Sequence, residues 1–226
     1  MKKKVKNGII TIFLLIVIGG VGFTLYKIIN DPDFDPGNLL NQFDNEDRYD
    51  DSVLDYMGVI YENQSDINAV NEAYSNTENC PWGFIHEGFD YFMNNNTAVL
   101  AATPGKVYDI AFTDNGEGVD NRYYVAIWIR FNETVEIGYN FESWTTNESN
   151  WENQKSMITI QVDDWVEQGQ EIGRFLQVGE GAHIHFDVIE NNERQCHIRY
   201  YSPEAFIEIM ELIHFYHSDW DYCYIE

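Results

Sequence analysis

Two of the six histidines stand two residues apart, as His183-Ile184-His185, inside a strand-like run that ends at Ile189. Residues i and i+2 of a β-strand project from the same face, about 6.6 to 7 Å apart. Two imidazoles placed so can converge on one small site, one binding a metal and the other standing beside the metal-bound water. A third histidine opens the segment His86-Glu87-Gly88-Phe89-Asp90. A straight strand would hold His86 and Asp90 about 13 Å apart, too far for one ion with bonds near 2 Å. Gly88 allows the chain to bend there and bring the pair together. Two histidines and an aspartate, with the fourth position left to water, form the open tetrahedral set of a catalytic zinc rather than a structural one.

Such side chains need a scaffold, and the sequence from about Pro81 onward supplies one. Short apolar or alternating runs rich in Val, Ile, Tyr and Phe are separated by Gly, Asn and Asp. They are Val99–Ala102, Lys106–Phe112, Tyr123–Phe131, Thr134–Tyr139, Met157–Val162, Glu171–Val178 and His183–Ile189. Each reads as a strand, and together they predict a mainly β, antiparallel domain of roughly seven strands. One helix closes the pattern. Ser202 is placed as its N-cap and Pro203 at its first turn, ahead of a periodic stretch through Ala205, Phe206, Ile209, Met210 and Ile213.

Five motifs in this order resemble peptidase family M23, the lysostaphin-type or LytM-like zinc metallopeptidases. His86-Glu-Gly-Phe-Asp90 is similar to the family's HxGxD. Val99-Leu-Ala-Ala-Thr-Pro-Gly-Lys-Val107 and Trp165-Val-Glu-Gln-Gly-Gln-Glu-Ile-Gly173 are similar to its two glycine-bearing turns. His183-Ile-His-Phe-Asp187 is similar to its HxHFE/D strand, and Pro203 follows. The resemblance covers roughly residues 80 to 208. It implies that His86, Asp90 and His185 ligate Zn2+ and that the catalytic His183 faces the bound water. Zinc would lower the pKa of that water and polarise a scissile carbonyl, with histidines as base and transition-state stabiliser. The implied substrates are peptides or glycopeptides of a cell envelope, typically the glycine-containing cross-bridges of peptidoglycan.

One departure stands out. The family carries a second catalytic histidine in a Tyr-x-His-Leu segment, and here the matching stretch is Ile137-Gly-Tyr-Asn-Phe-Glu142. Aligning Tyr139 with the tyrosine puts Phe141 in the histidine's place. Phenylalanine can neither carry a proton nor stabilise an oxyanion, a loss on the order of 10²–10⁴-fold in rate. Glu142 or Glu136 is then a substitute base, and His197, His214 and His217 are further histidines in reach of consideration. Asp114–Arg122 and Thr145–Lys155 are longer and more polar than the family pattern, which implies remodelled cleft walls. Three readings follow: a working zinc peptidase, a zinc-binding module that binds an envelope polymer or regulates another hydrolase, and a metal-free surface protein.

The rest of the chain bears on location. Lys2, Lys3, Lys4 and Lys6 precede an uncharged run from Gly8 to Tyr26, closed by Lys27. Those 19 residues span about 28 Å as a helix, close to the hydrocarbon thickness of a bilayer. Residues 1–29 are therefore expected to be a cytoplasmic stub and single transmembrane signal anchor. A cleavable signal peptide is the rival, with Gly19-Gly20-Val21-Gly22 as a poor cleavage site. The lysines place the N-terminus in the cytoplasm and the domain outside the cell membrane. Residues 30–79 read as an acidic spacer with little core, able to extend or to fold across the cleft. Residues 80–208 read as the M23-like domain, and 209–226 as helix end and tail.

Beyond Lys27 only eight Lys and Arg face 38 Asp and Glu, a formal charge of −30 (8 − 38). A domain so acidic is repelled by nucleic acid and by anionic membrane surfaces, which excludes both as partners of the domain. Cys80, Cys196 and Cys223 imply one disulfide and one leftover thiol outside the membrane. Four Asn-x-Ser/Thr sequons begin at Asn63, Asn95, Asn132 and Asn147, which fits an exported surface protein.

Overall fold

The computed structural model describes residues 52–226, so the expected membrane anchor and the spacer up to Asp51 lie outside the described residues. Among the described residues, no helix is long and apolar enough to cross a membrane. Twelve strands and two α-helices follow one another along the described residues. The strands are β1 (Ile67–Val70), β2 (Tyr74–Ser75), β3 (Phe89–Met93), β4 (Ala98–Leu100), β5 (Gly105–Asp114) and β6 (Tyr123–Arg130). β7 (Val135–Glu142), α1 (Glu148–Ser156), β8 (Trp165–Val166), β9 (Glu171–Arg174) and β10 (His183–Glu190) come next. β11 (Glu193–Arg194), α2 (Pro203–Tyr216) and β12 (Cys223–Tyr224) complete the order.

An antiparallel sheet in the order β1-β3-β10-β7-β6-β5-β8, with β11 on β10, dominates the molecule. Its strands β10, β7 and β6 alternate, so one face is apolar. Ile184, Phe186 and Val188 of β10 share it with Ile137, Tyr139 and Phe141 of β7 and Val125, Ile127 and Ile129 of β6. Burying such aromatic and branched side chains is worth roughly 1.5–3 kcal/mol each, which makes this face the main stabilising layer. The β4–β9 pair and α2, through Ala205, Ile209, Leu212 and Ile213, add buried residues to the same core. Ser202 Oγ accepts from the Ala205 backbone N–H at 3.1 Å with Pro203 in the first turn, the cap that the sequence predicted.

Three expectations need correction. From Ser52 to Asn79 the chain is not spacer: Leu54, Met57, Ile60, Tyr61, Ile67, Val70 and Ala73 are buried in the one core, and β1 extends the main sheet. Its few apolar residues fall where they pack, although its average composition is polar. Met157–Val162 forms no strand; Ile158 contributes only an isolated bridge to Gly173. Thr145–Lys155, read only as a long polar segment, holds all of α1 but its last residue. The Asn147 side chain caps it by accepting from the Ser149 N–H at 3.0 Å. Gln154, buried, pins it by donating to the Arg174 carbonyl and accepting from the Leu176 N–H, both at 2.8 Å.

A disulfide joins Cys196 to Cys223 with Cα atoms 6.0 Å apart, and Cys80 is the free thiol. The bridge ties the C-terminal tail to the loop after β11. There β12 pairs in parallel with β2, at Cys223↔Tyr74 and Tyr224↔Ser75.

Candidate metal centre

β10 lies between β3 and β7, and register alone assembles most of the site. On one side His185 is directly opposite Asp90, and on the other His183 is opposite Glu142 and His185 opposite Asn140. Directly opposed residues of antiparallel strands share a face, so these side chains all project away from the apolar layer. Asp90 is therefore delivered by a strand pairing, not by a loop. His86 arrives from the segment before β3. It is clamped by reciprocal backbone bonds with Ser75, His86 N–H to Ser75 O at 3.0 Å and Ser75 N–H to His86 O at 2.7 Å.

Gly88 does lie at a bend between His86 and β3, and it meets a second constraint. A Cβ there would stand 2.4 Å from both Cε1 and Nε2 of His185. Glycine is required because the His185 ring packs directly on that backbone.

The three expected ligand residues do meet. Asp90 Oδ1 is 2.7 Å from His185 Nδ1 and 3.2 Å from His86 Nε2, and those two nitrogens are 3.0 Å apart. The opposite ring nitrogens are engaged elsewhere. His86 Nδ1 donates to the Ala73 carbonyl at 2.9 Å, and a carbonyl can only accept. His185 Nε2 faces Asp187 Oδ1 at 3.2 Å; Asp187 is fully buried and also held by Arg194 Nε at 2.9 Å and Asn140 Nδ2 at 3.3 Å. With both outer nitrogens donating, two imidazole lone pairs and a carboxylate oxygen point at one spot. Three acceptors that close together call for a cation. Zinc bonds of about 2.0–2.1 Å at tetrahedral angles place ligand atoms about 3.3 Å apart, so the triangle needs only small expansion to fit Zn2+. The Ala73 and Asp187 partners are the outer acceptors that fix ring orientation in histidine metal sites.

The electrostatics agree. Burial opposes ionisation of Asp90, but His183 and the hydrogen bonds from His185 and His86 outweigh it and hold the carboxyl well below its ordinary range. Burial likewise works against a charged His185, and the bonds to Asp187 and Asp90 more than offset it, raising its pKa. His86 shows the same balance, burial against Asp90, with the same upward outcome. A site that attracts protons this way favours a metal cation in their place.

His183 stands beside this triangle. Its Nδ1 donates to the Gly181 carbonyl at 2.7 Å, and its Nε2 lies 3.4 Å from Asp90 Oδ2 and 3.5 Å from Glu142 Oε2. Its ring packs between Phe92 and Trp144, with centroids 5.0 and 5.7 Å away. Trp144 adopts φ 55°, a region that costs a bulky residue strain, and covers Gly179 and Gly181; a Cβ on Gly181 would meet its ring at 2.5 Å. The cleft around these groups measures about 590 Å³, and its rim includes Glu72, Phe84, Phe92, Glu142, Trp144 and Glu180.

Phe141 is not in the site. It pairs with Ile184 of β10 and Val125 of β6, on the apolar face, and is fully buried there. The β7 side chain that faces His183 is its neighbour Glu142. The alternation Val135-Glu-Ile-Gly-Tyr-Asn-Phe-Glu142 carried that phase: its odd-numbered members are apolar, so Phe141 belongs with Ile137 and Tyr139. Glu136 is remote in its own network, bonded to Arg130 at 2.7 Å and to Tyr108 Oη at 2.6 Å. His197 is buried behind the sheet against Phe186 and bonded through Nδ1 to Tyr222 Oη at 2.8 Å. His214 bonds the Trp220 carbonyl and His217 the Val70 carbonyl. None of the three lines the cleft. Of the two long segments, the first sends Asn121 to the site, where Nδ2 donates to Glu142 Oε2 at 2.5 Å.

Comparison with known proteins points the same way. The sequence model of peptidase family M23 matches residues 84–196, half of the chain and a span that contains His86, Asp90, His183 and His185. No curated protein matches it. Similar solved structures include a zinc-containing peptidase from Vibrio cholerae, 17% identical with a TM-score of 0.44 over 66% of this chain and 41% of that one. Helicobacter pylori Csd3 is 19% identical with a TM-score of 0.42 over 62% of this chain and 33% of that one. The catalytic domain of lysostaphin from Staphylococcus simulans is 20% identical with a TM-score of 0.39 over 64% and 95%. The chain thus spans less than half the length of the first two of these. On the family match, which covers half its residues, the chain belongs to peptidase family M23.

Proposed function

We propose that the protein is a zinc-dependent peptidase that cleaves peptide cross-links of a cell envelope from the outer side of the membrane that anchors it. One observation carries the reading: His86 Nε2, Asp90 Oδ1 and His185 Nδ1 converge within 3.2 Å while the remaining histidine nitrogens are engaged elsewhere. His86, Asp90 and His185 would hold the zinc, and the bound metal would supply a water of lowered pKa and a Lewis acid for the scissile carbonyl. The protein's own residues do the rest. Asp187 and the Ala73 carbonyl lock the two ligand rings, so the donor set is formed before substrate arrives. His183, its Nδ1 fixed on Gly181, presents Nε2 to the reacting groups. Phe84, Phe92 and Trp144 wall the cleft and limit the water around them.

Support for the membrane and envelope part is in the sequence: the lysine-flanked 19-residue run, the sequons and the acidic domain. The test is cleavage of pentaglycine and of purified envelope material by the zinc-loaded full chain, with His185→Ala as control. Turnover that depends on zinc and on His185 supports the reading. One zinc per chain without turnover would instead favour a binding or regulatory module, a reading motivated by the cleft holding, among the described residues, no histidine but His183 beyond the ligand triangle.

A further inference from the structure

Peptide hydrolysis needs a group that takes a proton from the attacking water and returns it to the leaving nitrogen. All six histidines lie within the described residues, and His86, His183 and His185 alone line the cleft. Two of those are in the ligand triangle. The third, His183, presents Nε2 to the reacting groups, so a second proton carrier must be sought among the carboxylates.

Besides Glu180, exposed on the rim, four carboxylates surround the spot. Asp90 is in the triangle, and Asp187 is fully buried between His185 and Arg194. Glu72 stands on the β3 side, beside Asp90 and His86; burial, then Asp90, raises its pKa. Glu142 is different. Register on β7 puts it directly opposite His183, and its Oε2 is 3.5 Å from His183 Nε2, which is itself 3.4 Å from Asp90 Oδ2. Asn121, from the long segment after β5, donates to that same oxygen and fixes the carboxylate. Burial raises its pKa against the opposing pull of His183 and His185, with Asp90 and Asp187 adding to the rise.

We infer that Glu142 is a general acid–base residue of this site beside His183, with Asn121 as its positioning residue. The inference rests on the peptidase reading above. Water oxygen bonds to the scissile carbonyl carbon as one water proton passes to the Glu142 carboxylate. The carbon–nitrogen bond then breaks, and Glu142 returns that proton to the departing nitrogen. The products are a carboxylic acid and an amine, and the Glu142 carboxylate is regenerated.

The experiment uses the zinc-loaded full chain and pentaglycine as the probe. Glu142→Gln, isosteric and still able to bond Asn121, should retain one zinc per chain while kcat falls on the order of 10²–10⁴-fold with little change in KM. Glu142→Ala should lose turnover equally and regain part of it with added formate, which a merely structural carboxylate would not allow. A second readout needs no turnover. Acetohydroxamate, which gives up its proton on binding a metal, should bind Glu142→Gln about 10- to 100-fold more weakly than the parent chain by calorimetry. Parent turnover that survives in Glu142→Gln within threefold, or unchanged acetohydroxamate affinity, overturns the role of Glu142 alone. A zinc-loaded parent chain that cleaves neither pentaglycine nor envelope material overturns the peptidase reading, whatever the acetohydroxamate result says of Glu142.

Discussion

The two faces of β10 are built from interleaved residues and obey opposite rules. Ile184, Phe186 and Val188 enter the core, where packing with Tyr91, Phe141 and Tyr139 decides their worth. His183, His185 and Asp187 project the other way, into a polar layer where each nitrogen or oxygen has a named partner. A slip of one residue would exchange the two sets, so the apolar face fixes the register on which the metal triangle depends. The core face tolerates changes that keep volume, and the site face tolerates changes that keep donors and acceptors.

That contrast can be broken from either side. The largest effect is expected at the triangle. His185→Ala should lose stoichiometric zinc and all measurable turnover while remaining folded, because its side chain supports no core layer; metal analysis and thermal unfolding check both. Next comes the core face. Phe141→Ala should destabilise the protein by about 3–5 kcal/mol in denaturant unfolding while zinc stays bound. Phe141→His should also destabilise it and raise turnover no further, because that position faces Ile184 and Val125 rather than the cleft.

Smaller effects sharpen the boundary between the faces. Asp187→Asn removes the charge behind His185 Nε2 and should weaken zinc by about 10- to 100-fold in chelator competition. The least effect is expected at His197, on the core side, whose pKa burial pushes down to about 3. Between pH 3 and about 6.5 the unfolded chain then binds the extra proton, so stability rises with pH and is lost as pH falls below 6.5. From pH 7.5 to 5.5 the parent should lose about 1 kcal/mol more than His197→Phe, measured by denaturant unfolding.

Alternation and turn residues were enough to locate β5, β6, β7 and β10, and the Ser202-Pro203 start made α2 legible. β3 was not, because Phe89–Met93 is buried on both faces and shows no alternation. Residues 52–79 were hidden by averaging: Asn and Asp set the composition while scattered Leu54, Met57, Ile60 and Tyr61 do the packing. α1 has no apolar stripe, and its anchors are two residues, Gln154 and Trp151. At the site, His86, Asp90, His183 and His185 were nameable from motif spacing, and the structure brings all four together. Aligning Phe141 by motif instead of by strand phase gave the wrong face of β7. Glu142 and Glu136, both nameable as substitute bases, share one phase, and only the register opposite His183 selects Glu142. Asn121 carried no local signal, since only the fold of the segment after β5 brings it to Glu142.

The central claim is that one zinc ion is held by His86, Asp90 and His185. Zinc X-ray absorption on the loaded full chain tests it directly. The account predicts one zinc per chain with two imidazoles and oxygen ligands at about 2.0–2.1 Å. A sulfur ligand at about 2.3 Å, which would bring in Cys80, or a single imidazole in the shell, would contradict it.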